Sequence, residues 1–462
     1  MKISPIHLYQ NMIKMKKLKA LFISTFVAIT FSACSEEEPI IEYVEVPGET
    51  VTVVETVVET VVETPNTNTI GSDGGITKIT EDQTWSNDQI HIIRGKVVIM
   101  SGTTLTVEAG AIIKAGEGQD NDATALVVAR GATINMNGTA DNPIIMTDIN
   151  DNINYGSPST NRNALDRGKW GGLIVLGNAK ISDAVDEKLI EGVLAIEGED
   201  WNFYGGSDNE DNSGSIQYVS IRHSGTQVAP DVELQGLTLG GVGRGTTIEN
   251  IEIVASKDDG VEFFGGTVDV TNLLVWNQFD DGIDIDMAYS GTINNAVVEY
   301  AADSDGAFEI DGAKDISYEA QNTISGLSVY GRYTDEASDS DQLGRVRENI
   351  QIKMMDVLYK GAAAEASKFE KFGDNNGNYK NITTPRTFGT DPNGSEDIIF
   401  SDFYFDGAFV QATLVGPNTE NSDSARDINS TFDNWATIGT SPSADQGADE
   451  SVFAWTWWAQ SN

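Results

Sequence analysis

Along residues 76–462, short runs of β-branched residues alternate with Gly, Asn and Asp, and no stretch keeps the apolar spacing of an amphipathic helix. Five segments share one template: Ile216-Gln-Tyr-Val-Ser-Ile221, Ile248-Glu-Asn-Ile-Glu-Ile253, Val270-Thr-Asn-Leu-Leu-Val275, Ile293-Asn-Asn-Ala-Val-Val298 and Ile324-Ser-Gly-Leu-Ser-Val329. Their starts lie 32, 22, 23 and 31 residues apart. A period near 22, lengthened where loops are inserted, predicts one turn of a three-sided parallel β-helix whose stacked coils share a core. Strand alternation sets the orientation. Val219, Ile251, Leu273, Ala296 and Leu327 should point inward, as should Ile221, Ile253, Val275, Val298 and Val329. Asn250, Asn272 and Asn295 share one template position, with Gly326 next in the column. That predicts stacked amides at a corner whose left-handed backbone Asn and Gly tolerate.

The preceding part fits less regularly. Val97–Ile99, 102–107, 111–113, 126–128, 131–134, 144–146 and 173–176 read as short strands between glycine turns. Polar excursions at 115–123, 148–168, 183–214, 332–350 and 366–396 read as loops. The apolar run Val452-Phe-Ala-Trp-Thr-Trp-Trp458 predicts a cap, about 450–462, over one exposed end of the solenoid. The expected fold is all-β, a single-stranded right-handed parallel β-helix over 76–462.

Residues 1–75 carry a different pattern. Lys14, Lys16, Lys17 and Lys19 precede the apolar stretch 20–31, which is too short to span a bilayer, and then Ser32, Ala33 and Cys34. Basic, apolar and small residues in that order make a secretory signal over 1–33. The segment Phe31-Ser-Ala-Cys34 resembles the lipobox of bacterial lipoproteins, with Phe31 for the usual Leu, and implies a palmitate-type anchor on Cys34. Ser35-Glu-Glu-Glu38 resembles the acidic export signal of Bacteroidetes lipoproteins, implying the outer face of the outer membrane; the alternative is a solvated charge run. Translation from Met12 or Met15 would give a more ordinary leader. The tetrad Val53-Val-Glu-Thr56, repeated to Thr64, makes 34–75 an acidic stalk or a short coiled coil.

Charge narrows the partners. The chain has 71 acidic and 29 basic residues, net −42. Without the first 33 residues and their five lysines, 24 basic residues face the same acids, net −47. Such a surface repels nucleic acid, anionic lipid and polyanionic glycans unless divalent cations intervene. One cysteine allows no intramolecular disulfide, and His91 and His223 alone beyond the leader argue against a histidine-built zinc or iron site.

The stretches GTTLTVEAGAII, ALVVARGATINMNGTADNPIIMT, GKWGGLIVLGNA, LQGLTLGGVGRGTTIENI, DDGVEFFGGTV and FAWTWWA resemble a family of bacterial surface and secreted proteins common in Bacteroidetes. The resemblance runs from about 76 to the end and implies a right-handed, pectin-lyase-like β-helix. It implies no activity.

Acidic residues recur after three consecutive template strands, as Asp258-Asp-Gly-Val-Glu262, Asp280-Asp-Gly-Ile-Asp-Ile-Asp286 and Asp303-Ser-Asp-Gly-Ala-Phe-Glu-Ile-Asp311. Their glycines lie 22 and 24 residues apart, so carboxylates should stack from coil to coil at about 4.8 Å. Like charges so close need compensation, and Ca²⁺, which takes about six to eight oxygens, is the natural candidate. The expected ligands are Asp258, Asp259, Glu262, Asp280, Asp281, Asp284, Asp286, Asp305 and Glu309. Alternatively Asp-Gly merely makes the turn, which explains Asp259, Asp281 and Asp305 but not Glu262, Asp284 and Glu309. Asp208–Asn212 and Asp374–Asn378 are weaker candidate cation loops.

An enzymatic reading uses Asp281, Asp284 and Glu262 as acid and base, because Asn277–Asp284 superficially resembles the Asn-x-Asp-Gly element of polygalacturonase-type enzymes. Their Gly-His-Gly and Arg-x-Lys elements are not found. A lyase would need a basic residue, with Arg222 and Arg244 the nearest candidates. A binding reading uses the outward seventh position of the template, Arg222, Val254, Trp276, Glu299 and Tyr330. Trp276 and Tyr330 would form a platform for a sugar ring beside Arg222 and Glu299, unless a loop covers them. The sequence favours a non-enzymatic glycan- or protein-binding or adhesion module, possible accessory to an uptake receptor, over a polysaccharide hydrolase or lyase. An open cleft with carboxylates about 5–9.5 Å apart would reverse that order.

Overall fold

A computed structural model describes residues 66–155, 159–229, 232–315, 317–331, 342–347, 349–361, 368–370, 386–407, 409, 411 and 430–462. The expected signal, Cys34, most of the stalk and the loop at 374–378 lie outside the described residues.

Each template segment turns out to be two short strands joined at a corner. The column Tyr218, Asn250, Asn272, Asn295, Gly326, Asp356 and Asp402 has φ of 51°, 56°, 58°, 62°, 68°, 55° and 55°. A single left-handed residue bends the chain and resets its alternation. Template positions one, four and six therefore all face inward, as Ile248, Ile251 and Ile253 do at 1%, 0% and 0% exposure. The ten residues expected inward are all buried. So is the extra row Ile216, Val270, Ile293 and Ile324.

Parallel pairing from coil to coil builds three faces. On the first, Gln83–Trp85, Thr104–Val107 and Thr133–Asn137 lead into the residues before each corner. On the second, Ile112–Ala115 and Ile144–Asp148 lead into the residues after it. The third runs through Ala125–Val128, Gly172–Leu176, Leu237–Gly240, Val261–Phe264, Asp281–Asp286, Gly306–Asp311 and Gln342–Arg347. One core fills the shaft from Ile79 to Ala436.

The amide ladder forms. Asn272 Nδ2 donates to Asn250 Oδ1 at 2.9 Å, and Asn295 Nδ2 to Asn272 Oδ1 at 2.7 Å. Asn272→Ala should cost about 2–3 kcal/mol by urea denaturation, combining left-handed backbone strain with two lost hydrogen bonds. Asn272→Gly removes the strain and should recover about half. Equal losses for the two variants would show that the corner carries no strain.

Three expectations change. The first strand, Thr67–Ile79, starts before 76 and pairs Thr67 with Ile90, so the solenoid begins inside the expected stalk. The excursions at 332–350 and 366–396 contain the paired strands Gln342–Arg347 and Lys368–Glu370. Residues 450–462 do not cap an end. Phe432 and Trp435 of a short helix, Phe432–Trp435, close the last described coil against Phe400, Phe403, Phe405 and Phe409. The final segment instead runs back along the second face. Gln446 Nε2 reaches Asp356 Oδ1 at 2.8 Å, and Trp458 Nε1 reaches Glu299 Oε2 at 2.6 Å. It goes there because the outward residues Val254, Leu274, Trp276 and Val297 are apolar and Phe453 and Trp458 bury them.

Candidate functional site

The third face positions the acids. Its outward row reads Thr238, Glu262, Asp284, Glu309 and Arg345, each paired with the next coil. The intervening Val261, Phe263, Ile283, Ile285, Phe308 and Ile310 are core. Alternation on a parallel strand thus stacks carboxylates outside while aliphatic and aromatic side chains anchor them from within. The turn before each strand, or the strand's first residue in the case of Asp281, supplies the second set, Asp258 and Asp259, then Asp280 and Asp281, then Asp305.

These acids fall into two overlapping groups, with Asp281 in both. Toward the later coils, cations neutralise them. Arg345 donates to Glu309 Oε2 at 2.6 Å and to Asp305, and lies 4.0 Å from Asp281 Oδ2. Lys314 Nζ is 2.9 Å from both Asp286 Oδ1 and Asp311 Oδ2. Toward the earlier coils, carboxylates converge on one another. Asp259, Glu262 and Asp284 each place an oxygen within 4.8 Å of the other two, and Asp259, Asp280 and Asp281 do the same. Asp259 Oδ1 accepts the Asp281 N–H at 2.9 Å, so the turn explanation accounts for one of its oxygens. Glu262 is 7% exposed, and its carboxylate makes no hydrogen bond or ion pair among the described residues.

Burial, joined by this crowding, disfavours ionisation. Asp258 is pushed up to about 8 by burial and then by the charge of Asp280. Asp280 rises to about 6 through burial and then Asp305. Asp259 and Glu262 are raised well above the carboxylate range by burial, reinforced by Asp258 and Asp284 respectively.

Sequence reasoning missed four contributors. Glu191 and Glu233 belong to segments folded over the third face, and Glu191 Oε1 accepts the Glu233 N–H at 3.3 Å. The charge of Glu191 acts on Glu262, and that of Glu233 on Asp258. Arg345 and Lys314 sit in stretches with no strand alternation to mark them. The basic residues considered for a lyase are elsewhere. Arg222 is buried on the second face, 3.5 Å from Glu252, and Arg244 pairs with Glu210 at 3.4 Å.

The open aromatic platform does not form. Trp276 is 5% exposed, Arg222 6% and Glu299 5%, because residues 453–459 lie on them. Trp457 sits 5.6 Å from Trp276 edge to face, with the Arg222 guanidinium 5.0 Å from its ring, and Tyr330 donates its hydroxyl to Glu450. The covered arrangement is the one found.

Fold and site together define a three-sided parallel β-helix with an acidic ladder on one face. The chain belongs to the family described as pectate-lyase-like β-helix domain, which matches residues 77–391. No curated protein and no solved structure matches it.

Proposed function

We propose that this chain is a surface-tethered, non-enzymatic binding module whose acidic ladder holds a divalent cation. One observation carries the reading: the carboxylate of buried Glu262, with no hydrogen bond or ion pair among the described residues, faces Asp259 and Asp284 within 4.8 Å. Three converging carboxylates, one from a turn and two from adjacent strands, suit calcium better than a transition metal. Asp258, Asp280 and Asp281 extend the oxygen set, while Asp286, Asp305 and Glu309 answer to Lys314 and Arg345. The tether rests on the leader pattern ending at Cys34, which supports an outer-membrane position and a glycan or surface protein as partner. Phe279, next to Asp280 and 40% exposed, offers an aromatic edge, with Lys257 Nζ 3.6 Å from its ring.

The hydrolase reading keeps one support, since burial and the charge of Asp305 raise Asp280 to about 6, so it would hold a proton as a general acid does at mildly acidic pH. Calorimetry with CaCl₂ and MgCl₂, then a glycan array and a depolymerisation screen with calcium and with chelator, separates the two. Saturable calcium binding, and glycan retention lost in chelator with no shortened product, is the expected result. Release of oligosaccharides would establish the hydrolase instead, and absence of calcium binding would remove the cation from either account.

A further inference from the structure

A cavity of about 240 Å³ lies away from the ladder, between the first coils and the segment folded over the third face. Its wall is mainly apolar, with Ile76 and Ala123 from the shaft side and Val193, Leu194 and Trp201 from the covering segment. Five large apolar side chains are conspicuously exposed among the described residues, and two of them, Ile76 at 44% and Leu194 at 60%, line this cavity. An apolar rim around a concave site marks a place where something binds.

Lys96 and Trp201 line the same space, together with the carboxylate-bearing Asp122. Lys96 is 6% exposed, and its ammonium donates to the carbonyls of Ala123 and Asn121 but forms no ion pair among the described residues. That is unexpected in a chain of net charge −42, where a carboxylate partner is easily supplied. Burial pushes its pKa down to about 8, with the charge of Asp122 opposing the shift. A buried cation ordinarily recruits a counter-charge. Trp201 is 2% exposed, and its indole N–H is buried without an acceptor. Tryptophan at such a depth ordinarily finds one.

We propose that this cavity binds a small amphiphilic carboxylate, its apolar tail between Ile76, Val193 and Leu194 and its carboxylate on Lys96. The anion supplies the contact ion pair that Lys96 lacks beyond the longer-range charge of Asp122, while the tail covers the exposed rim. The protein's overall negative charge slows encounter with anions, so selectivity comes from the local Lys96 ammonium.

The test is calorimetry on the whole chain with n-alkanoates from acetate to octanoate, and with n-alkanols of the same lengths at equal ionic strength. Affinity should rise about fourfold per added methylene until the cavity is full. Alkanols should bind at least about tenfold more weakly, lacking the charge. Lys96→Met should abolish the preference for carboxylate over alcohol. Leu194→Asp changes an exposed residue, so the fold tolerates it, and it should weaken every long alkanoate about tenfold or more. Saturable binding lost in Leu194→Asp supports the site even if Lys96→Met fails to fold. No saturable alkanoate binding, or binding unchanged in Leu194→Asp, overturns it.

Discussion

Deletion of residues 445–462 should yield a chain that no longer unfolds cooperatively and that binds hydrophobic dye. The segment buries Phe453, Trp455 and Trp458, at 0%, 8% and 8% exposure. Each large aromatic removed from such a site costs about 3–5 kcal/mol, so three of them approach the whole stability of an ordinary domain, about 5–15 kcal/mol. The loss is compounded on the shaft, where Val254, Leu274, Trp276 and Val297 would face water. Polar groups would be stranded too. Glu252 Oε1 loses the Trp458 N–H at 2.9 Å, and Asn295 Oδ1 loses the Asp449 N–H at 2.6 Å. That last bond shows why the segment is seated there. The amide ladder stops at Asn295, because Gly326 in the next coil has no side chain to donate, and the returning backbone supplies the missing donor. Trp458→Phe keeps most of the packing and removes only the indole bond to Glu299, so it should cost about 1–3 kcal/mol in chemical denaturation. A soluble deletion variant with the parent's denaturation midpoint would show the segment to be peripheral.

The first two faces were legible in the sequence because their constraint is local. A left-handed corner needs Asn or Gly, and that requirement recurs at a readable spacing in Asn250, Asn272, Asn295 and Gly326. Where other residues fill the same corner, as Tyr218, Asp356 and Asp402 do, the pattern disappears from view although the geometry persists. The third face has no such marker: its early strands at 126–128 and 173–176 showed through their glycine turns, and its later ones surfaced only through the acids they carry. Those acids were found because Asp-Gly turns repeat with the coil. Their division into a neutralised and a crowded set was not, since it depends on Arg345, from a strand hidden in a polar excursion, and on Lys314 from a loop. The role of the last segment was misread for a related reason. An apolar run such as Val452 to Trp458 declares that it will be buried, but it does not say whether an end or a flank receives it. Outward Trp276 and Val254 were the available clue, because a solvent-facing row seldom carries them.

Glu262→Gln should reverse its effect on stability according to whether calcium is present. In chelator, the wild-type chain must either ionise a buried carboxylate among other carboxylates or hold it protonated. The neutral amide removes that conflict, and the variant should be more stable by about 1–3 kcal/mol, the scale of one unsatisfied buried charged group. With calcium at a hundredfold excess over its dissociation constant, the wild-type chain gains about 2.7 kcal/mol because only the folded state assembles the site. Glu262→Gln gives up one of three converging oxygens and should keep little of that gain, so the order of the two melting temperatures inverts. Glu309→Gln is the control. Its carboxylate is held by Arg345 at 2.6 Å, so the change weakens a formed ion pair and should destabilise the chain by a similar amount in both media. A calcium-induced shift of equal size in wild type and Glu262→Gln would place the ion somewhere other than Asp259, Glu262 and Asp284. A variant destabilised even in chelator would mean that Glu262 serves the fold and leaves no cation to find.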